Sequence, residues 1–160
     1  MMMSTELKLL AQGRKNILAN ADQLSLKELN TIPSPFRNNI IWNIGHIIVT
    51  QQLLCYGLSA MELNVEKEMV LKFKKGTAPS EEATIDEFKE LRELLIETSS
   101  QLLKDYENGK WEGVEFQSYR TSFGNTIDSI EDAIAFNNIH EGIHLGYVLN
   151  LRKMLQEMVL

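Results

Sequence analysis

The chain has 160 residues, 44% of them apolar, enough for one domain with its own core over 1–160. Its 16 lysines and arginines stand against 22 aspartates and glutamates, a formal charge of −6, and the basic residues are scattered, so no nucleic acid and no membrane surface is expected as a partner. The one cysteine, Cys55, rules out an internal disulfide framework, a four-cysteine zinc site and a CxxC redox pair, and suits a reducing compartment.

The start, Met1-Met2-Met3-Ser4-Thr5-Glu6, lacks the basic residues and long apolar run of a secretory signal, so a cytoplasmic protein is expected. Leu7, Leu10, Ala11, Ile17, Leu18, Ala21 and Leu24 mostly step by three or four, which predicts a first helix from about 4 to 22. Thr31-Ile32-Pro33-Ser34-Pro35 breaks that pattern and opens a loop to about 38, because each proline restricts itself and the residue before it. A second helix is predicted from about 39 to 60. Its most apolar stretch, Ile40 to Leu58, contains Asn43, His46, Gln51 and Gln52, so it reads as a buried helix and not a membrane span. Residues 61–73 are mixed in character, and Gly76-Thr77-Ala78-Pro79-Ser80 is a clear loop. Thr84-Ile85-Asp86-Glu87 has the spacing of a capping box and starts a third helix, which runs from about 85 to 106 and ends at Asn108-Gly109. Between Lys110 and Asn125, the residues Trp111, Val114, Phe116, Tyr119 and Phe123 suit a loop packed back on the body, with a short hairpin weakly signalled. The last helix is predicted from about 127 to 157 through Ile130, Ala133, Ile134, Ile139, Ile143, Val148, Leu151 and Leu155. Four long helices make an all-α, four-helix bundle the economical fold.

The three histidines, His46, His140 and His144, carry most of the chemistry. His140 and His144 sit four residues apart on one helix, within about 40° on one face, so both imidazoles can reach one cation. His140-Glu141-Gly142-Ile143-His144 also spells the HExxH pattern of zinc proteases. That reading fails on its third ligand: Tyr147 and Asn150 stand where the extended pattern needs Gly and His, and the sequence stops before a downstream Glu at the usual distance. His46 is the better third ligand, because its helix face is mostly apolar and a histidine there needs a partner. Three neutral nitrogens with open positions match a catalytic metal site, whereas structural zinc sites are usually closed by four protein ligands. Cys55 falls on the opposite face from His46. Glu141 lies on the flank of the histidine pair, either as base or hydrogen-bond acceptor to a ligand, or as a helix carboxylate without such a role. Tyr147 is in line with His140 and either turns its phenol to the site or packs. Asn43 and Thr50 stand one turn either side of His46, as pocket lining or in ordinary helix hydrogen bonds.

In Trp42-Asn43-Ile44-Gly45-His46, and in His140-Glu141-Gly142-Ile143-His144-Leu145-Gly146 with Leu151-Arg152-Lys153 after it, the chain resembles the DinB-like superfamily. That group contains thiol-dependent S-transferases and many proteins labelled metal-dependent hydrolases. The separation of 140 − 46 = 94 residues and the order and length of the helices suit the family over essentially the whole chain. The resemblance implies a four-helix bundle holding a divalent metal ion, commonly nickel or zinc, on the positions that are here His46, His140 and His144, and often a homodimer. Ile143 replaces a frequent tyrosine and Tyr147 a frequent glutamine, so substrate and reaction do not carry over. The acidic charge gives no support to a DNA-binding role suggested by the family name.

Two classes of function follow. In the first, the metal activates water or a low-molecular-weight thiol against a small electrophilic molecule, as in a hydrolase or S-transferase, with Tyr147 or Glu141 handling the proton. In the second, the chain is a non-catalytic metal-binding or interaction bundle, or its three histidines are core residues that hold no metal. The apolar run Met154 to Leu160 suits either a dimer contact or closure of the chain's own core.

Overall fold

The computed structural model describes residues 3–157; Met1, Met2 and residues 158–160, and with them the ends of the expected start and of the C-terminal apolar run, lie outside the described residues. Its elements are α1 (Met3–Ala21), α2 (Leu26–Asn30), α3 (Ile40–Cys55), a short 3-10 turn (Gly57–Ser59), α4 (Lys67–Phe73), α5 (Ile85–Glu107), β1 (Tyr119–Arg120), β2 (Thr126–Ile127) and α6 (Ile130–Glu157). The four long helices α1, α3, α5 and α6 form a square in which α6 touches both α1 and α3, and α5 touches the same two from the other side. The all-α bundle expected from periodicity is what the chain forms. Among the described residues, no helix is long and apolar enough to cross a membrane.

Helix α3 is the element on which the others are built. The Asn39 side chain caps it by accepting from the Trp42 N–H at 2.8 Å, and every residue from Ile40 to Val49 is buried. Burial on all sides of one helix explains why its histidine and amides need internal partners. The helix ends at Cys55, five residues before the predicted 60, and the chain tightens into the 3-10 turn with Ala60 left-handed at φ 54°. Thr84 caps α5 as expected, accepting from the Glu87 N–H. Glu87 does not complete the box; its carboxylate takes Lys72 of α4 at 2.6 Å.

The sequence reading gave no helix at α2, although Ser25 and Glu28 form a complete capping box there. It left α4 inside a mixed stretch. The weakly signalled hairpin exists as two residues on each side, Tyr119 opposite Ile127 and Arg120 opposite Thr126, so α6 starts at Ile130 and not at 127. In the preceding loop Trp111 is buried and donates to the Cys55 carbonyl at 3.0 Å, but Val114, Tyr119 and Phe123 are exposed. The apolar phase read along α6 also shifts. Ile139 and Ile143 are 56% and 42% exposed, and the inward stripe runs Ile130, Ile134, Asn137, Glu141, His144, Val148, Leu151, Leu155. Its middle third is polar.

Candidate metal centre

Ring nitrogens of His46, His140 and His144 lie within 4.8 Å of one another, a spacing from which each can reach one cation. The ring centroids are 5.1 Å apart for His46 and His140, 4.9 Å for His46 and His144, and 4.6 Å for the helical pair. His46 comes from the middle of α3 and the other two from α6, the adjoining helix, so the expected convergence of two helical faces is realised. Cys55 is buried elsewhere and is no member of the group.

Two of the rings are oriented by hydrogen bonds that decide their tautomers. Nδ1 of His46 lies 2.7 Å from the Phe73 carbonyl oxygen, which only accepts, so Nδ1 carries the proton and Nε2 keeps its lone pair. Nδ1 of His144 lies 2.7 Å from Oδ1 of Asn43, whose Nδ2 donates to the Asn39 carbonyl at 2.7 Å. That second bond fixes the amide so that an oxygen faces His144, and its Nε2 is likewise the free nitrogen. Such outward N–H bonds are how metal-binding imidazoles are usually held. His140 differs: its Nδ1 is buried and has no hydrogen-bond partner.

Burial sets the charge state. It pushes His140 down to about 4, helped by the charge on His46, and His144 down to about 3, helped by the other two rings. His46 is lowered mainly by the same desolvation; the Phe73 carbonyl opposes this, and the nearby Lys75 charge adds to it. All three are therefore neutral near pH 7, the state in which an imidazole donates a lone pair. Three neutral nitrogen donors, one of them on a ring whose buried Nδ1 has no hydrogen-bond partner, fit a borderline divalent ion such as zinc or nickel better than calcium or magnesium, which prefer oxygen.

The short motif before His46 now has physical content. The Trp42 ring stacks on His46 at 4.5 Å and 11°, and its Nε1–H donates to Thr77 at 3.0 Å, tying the ring to the loop after α4. Asn43 holds His144. A Cβ on Gly45 would sit 2.5 Å from the Phe73 ring, so the missing side chain is what lets Phe73 approach and offer its carbonyl to His46. Thr50 places its hydroxyl 3.4 Å from Nε2 of His46, one turn away on the same helix, and with His46 it lines a cavity, so both alternatives read for it hold together.

The two residues expected to handle protons part company. Tyr147 stands beside the site, its ring 5.9 Å from His144 and edge-on to Phe36 at 6.0 Å, and it lines a cavity of about 460 Å³ with His144, Asn43, Trp42 and Arg37. Glu141 turns into the bundle. Its carboxylate takes a two-pronged bond from Arg14, at 2.7 and 3.0 Å, and another from Nδ2 of Asn137 at 2.8 Å. Both carboxylate oxygens are engaged, which makes Glu141 the ion-pair partner of Arg14. A second cavity, of about 320 Å³, opens on the other side of the cluster against His46 and His140.

Two residues carried no signal in the sequence: Phe73, which acts through its backbone, and Arg14, a charged side chain that is fully buried. Comparison with known proteins agrees with the geometry. The family model of the DinB superfamily matches residues 9–148, spanning both histidine motifs. The chain belongs to the DinB superfamily. Among solved structures, this DinB chain is similar to a conserved protein from Enterococcus faecalis, with a TM-score of 0.62, 11% identity and 96% of each chain covered, a likeness of fold alone. No curated protein gives a significant match. Membership in the superfamily and the three-histidine cluster together fit a metal-binding protein.

Proposed function

We propose that this chain is a metal-dependent enzyme that holds one divalent ion, nickel or zinc, on His46, His140 and His144 and acts on a small electrophilic molecule with water or a low-molecular-weight thiol. The observation that carries the reading is the preparation of the ligands: two imidazoles keep their Nε2 lone pairs unprotonated because Phe73 and Asn43 hold their N–H groups outward. Three protein donors leave coordination positions open, and cavities lie on both sides of the cluster. A bound ion would supply Lewis acidity, lowering the pKa of a coordinating water or thiol. The protein's own part is to keep the rings neutral by burial, fix their orientation, and flank the site with Trp42, stacked on His46, and Phe136, whose ring lies 6.4 Å from that of His140. Tyr147, whose ring lies 5.9 Å from that of His144, is the side chain we assign to proton exchange on that side.

Elemental analysis of protein purified without an affinity tag tests this. Close to one nickel or zinc per chain is expected, and His144→Ala is expected to lose it while remaining folded by circular dichroism. Wild-type protein without near-stoichiometric metal under non-chelating conditions rejects the site. Stoichiometric metal without turnover across thiol acceptors, esters and amides favours the non-catalytic bundle instead.

A further inference from the structure

The cavity of about 320 Å³ against His46 and His140 is near the lower end of ligand pockets, which run from about 300 Å³ upward, so it suits a small molecule and not a peptide. Its walls are mainly apolar, formed by Leu53, Leu54 and Leu58 on the α3 side and Phe136 on α6, with a few hydroxyls from the hairpin at the rim. Its charge is one-sided. Among the described residues Lys75 is its only charged lining residue, and no aspartate or glutamate lines it in a chain whose formal charge is −6. Among the described residues Lys75 forms no ion pair, whereas the nearby Lys72 pairs with both Glu81 and Glu87. Lys75 lines the same cavity as His46. A divalent ion on the histidines would add positive charge beside it. The chamber is apolar and its one charged lining residue is the solvent-exposed Lys75, so it favours an anion with an apolar body: a carboxylate can pair with that ammonium, whereas a cation is repelled.

We propose that this cavity binds a small monocarboxylate with an alkyl or aryl body, its body against Leu54 and Phe136 and its carboxylate paired with Lys75. The proposal names the ligand class of the candidate metal site and rests on reading that site as a small-molecule site.

Calorimetry with octanoate and its uncharged counterpart octanamide, at low salt and on both chelator-treated and metal-loaded full-length protein, tests it. Octanoate is expected to bind more tightly than octanamide by about two- to fivefold, the scale of one solvent-exposed charge pair. Lys75→Met is expected to erase that preference and leave octanamide unchanged. Leu53→Trp, at a half-exposed lining position, is expected to fill the chamber and weaken both ligands. Equal binding of the two ligands, no binding of octanoate, or a preference erased by Arg37→Met in the other cavity and not by Lys75→Met overturns the proposal. Because the charge preference is also read on chelator-treated protein, its failure is separable from failure of the metal reading, which shows only in the metal content.

Discussion

His140 and Glu141 are neighbours in sequence, yet they belong to polar centres of opposite construction. Glu141 faces a closed one. Arg14, fully buried, donates to both Glu141 oxygens, to the Leu95 carbonyl at 2.8 Å, to Thr98 at 2.7 Å and, more loosely, to Gln51 at 3.4 Å, so one guanidinium links α1, α3, α5 and α6. Its donors are used up within the protein. The histidine centre is open: its outward nitrogens are engaged at His46 and His144, while the inward lone pairs face one another and a cavity. A buried polar group that ends in a protein partner organises the fold, and one left pointing at its equals marks a place for something else to bind.

The sharpest way to break this contrast is at Arg14. Arg14→Met leaves the Glu141 carboxylate buried without its counter-charge, and removal of one partner of a buried pair costs about 3–5 kcal/mol. Urea denaturation should show that loss, and Arg14→Met with Glu141→Leu should recover much of it because no charge is then stranded. Metal content per folded chain should remain near that of the wild type in both. If Arg14→Met instead strips metal while stability is preserved, the two centres are not separable as described.

A smaller effect is expected at Asn43, which belongs to the open centre without being a ligand. Asn43→Leu takes the acceptor from Nδ1–H of His144 and frees the ring to turn. Loss of such an outer partner typically weakens metal affinity by about 10–100-fold. Competition with a chromophoric chelator should show this, with affinity reduced but stoichiometry retained at saturating metal. Unchanged affinity would mean that the Asn43 bond does not orient the ligand.

The sequence disclosed these two centres unequally, for reasons that lie in the residues. The histidines were legible because there are only three, because His140 and His144 share a helical face, and because His46 sits on an apolar one. The closed centre was hidden by the signal used to find helices. Apolar periodicity along α6 runs naturally through Ile139 and Ile143, but these face outward, and the inward stripe at that level is Asn137, Glu141 and His144. The same substitution occurs in α1, where Arg14 continues the stripe Leu7, Leu10, Ile17, Ala21, and in α5, where Thr98 lies between Leu95 and Leu102. Each helix looks irregular alone; together they place a polar layer at mid-bundle. The Phe73 carbonyl left no mark in side-chain identity, and the need for Gly45 is visible only once Phe73 packs on it.

The mildest test uses protons in place of mutations. In the unfolded chain a histidine titrates near 6.5, whereas burial holds His140 at about 4 and His144 at about 3 in the native metal-free protein. Between these values the unfolded chain takes up protons that the native one refuses, so stability falls as pH falls, and the contribution is complete only above about 6.5. Ordinary carboxylates titrate near 4, so the interval from about pH 6.5 to 5 isolates the histidines. Urea midpoints of chelator-treated protein should decline across that interval, and His144→Asn should flatten the decline. Metal competes with protons for the same nitrogens and should flatten it as well, until protons displace the ion. A level midpoint from pH 7 to 5 in the chelated wild type would mean that the imidazoles are already hydrated, and that the open centre is wetter than its burial implies.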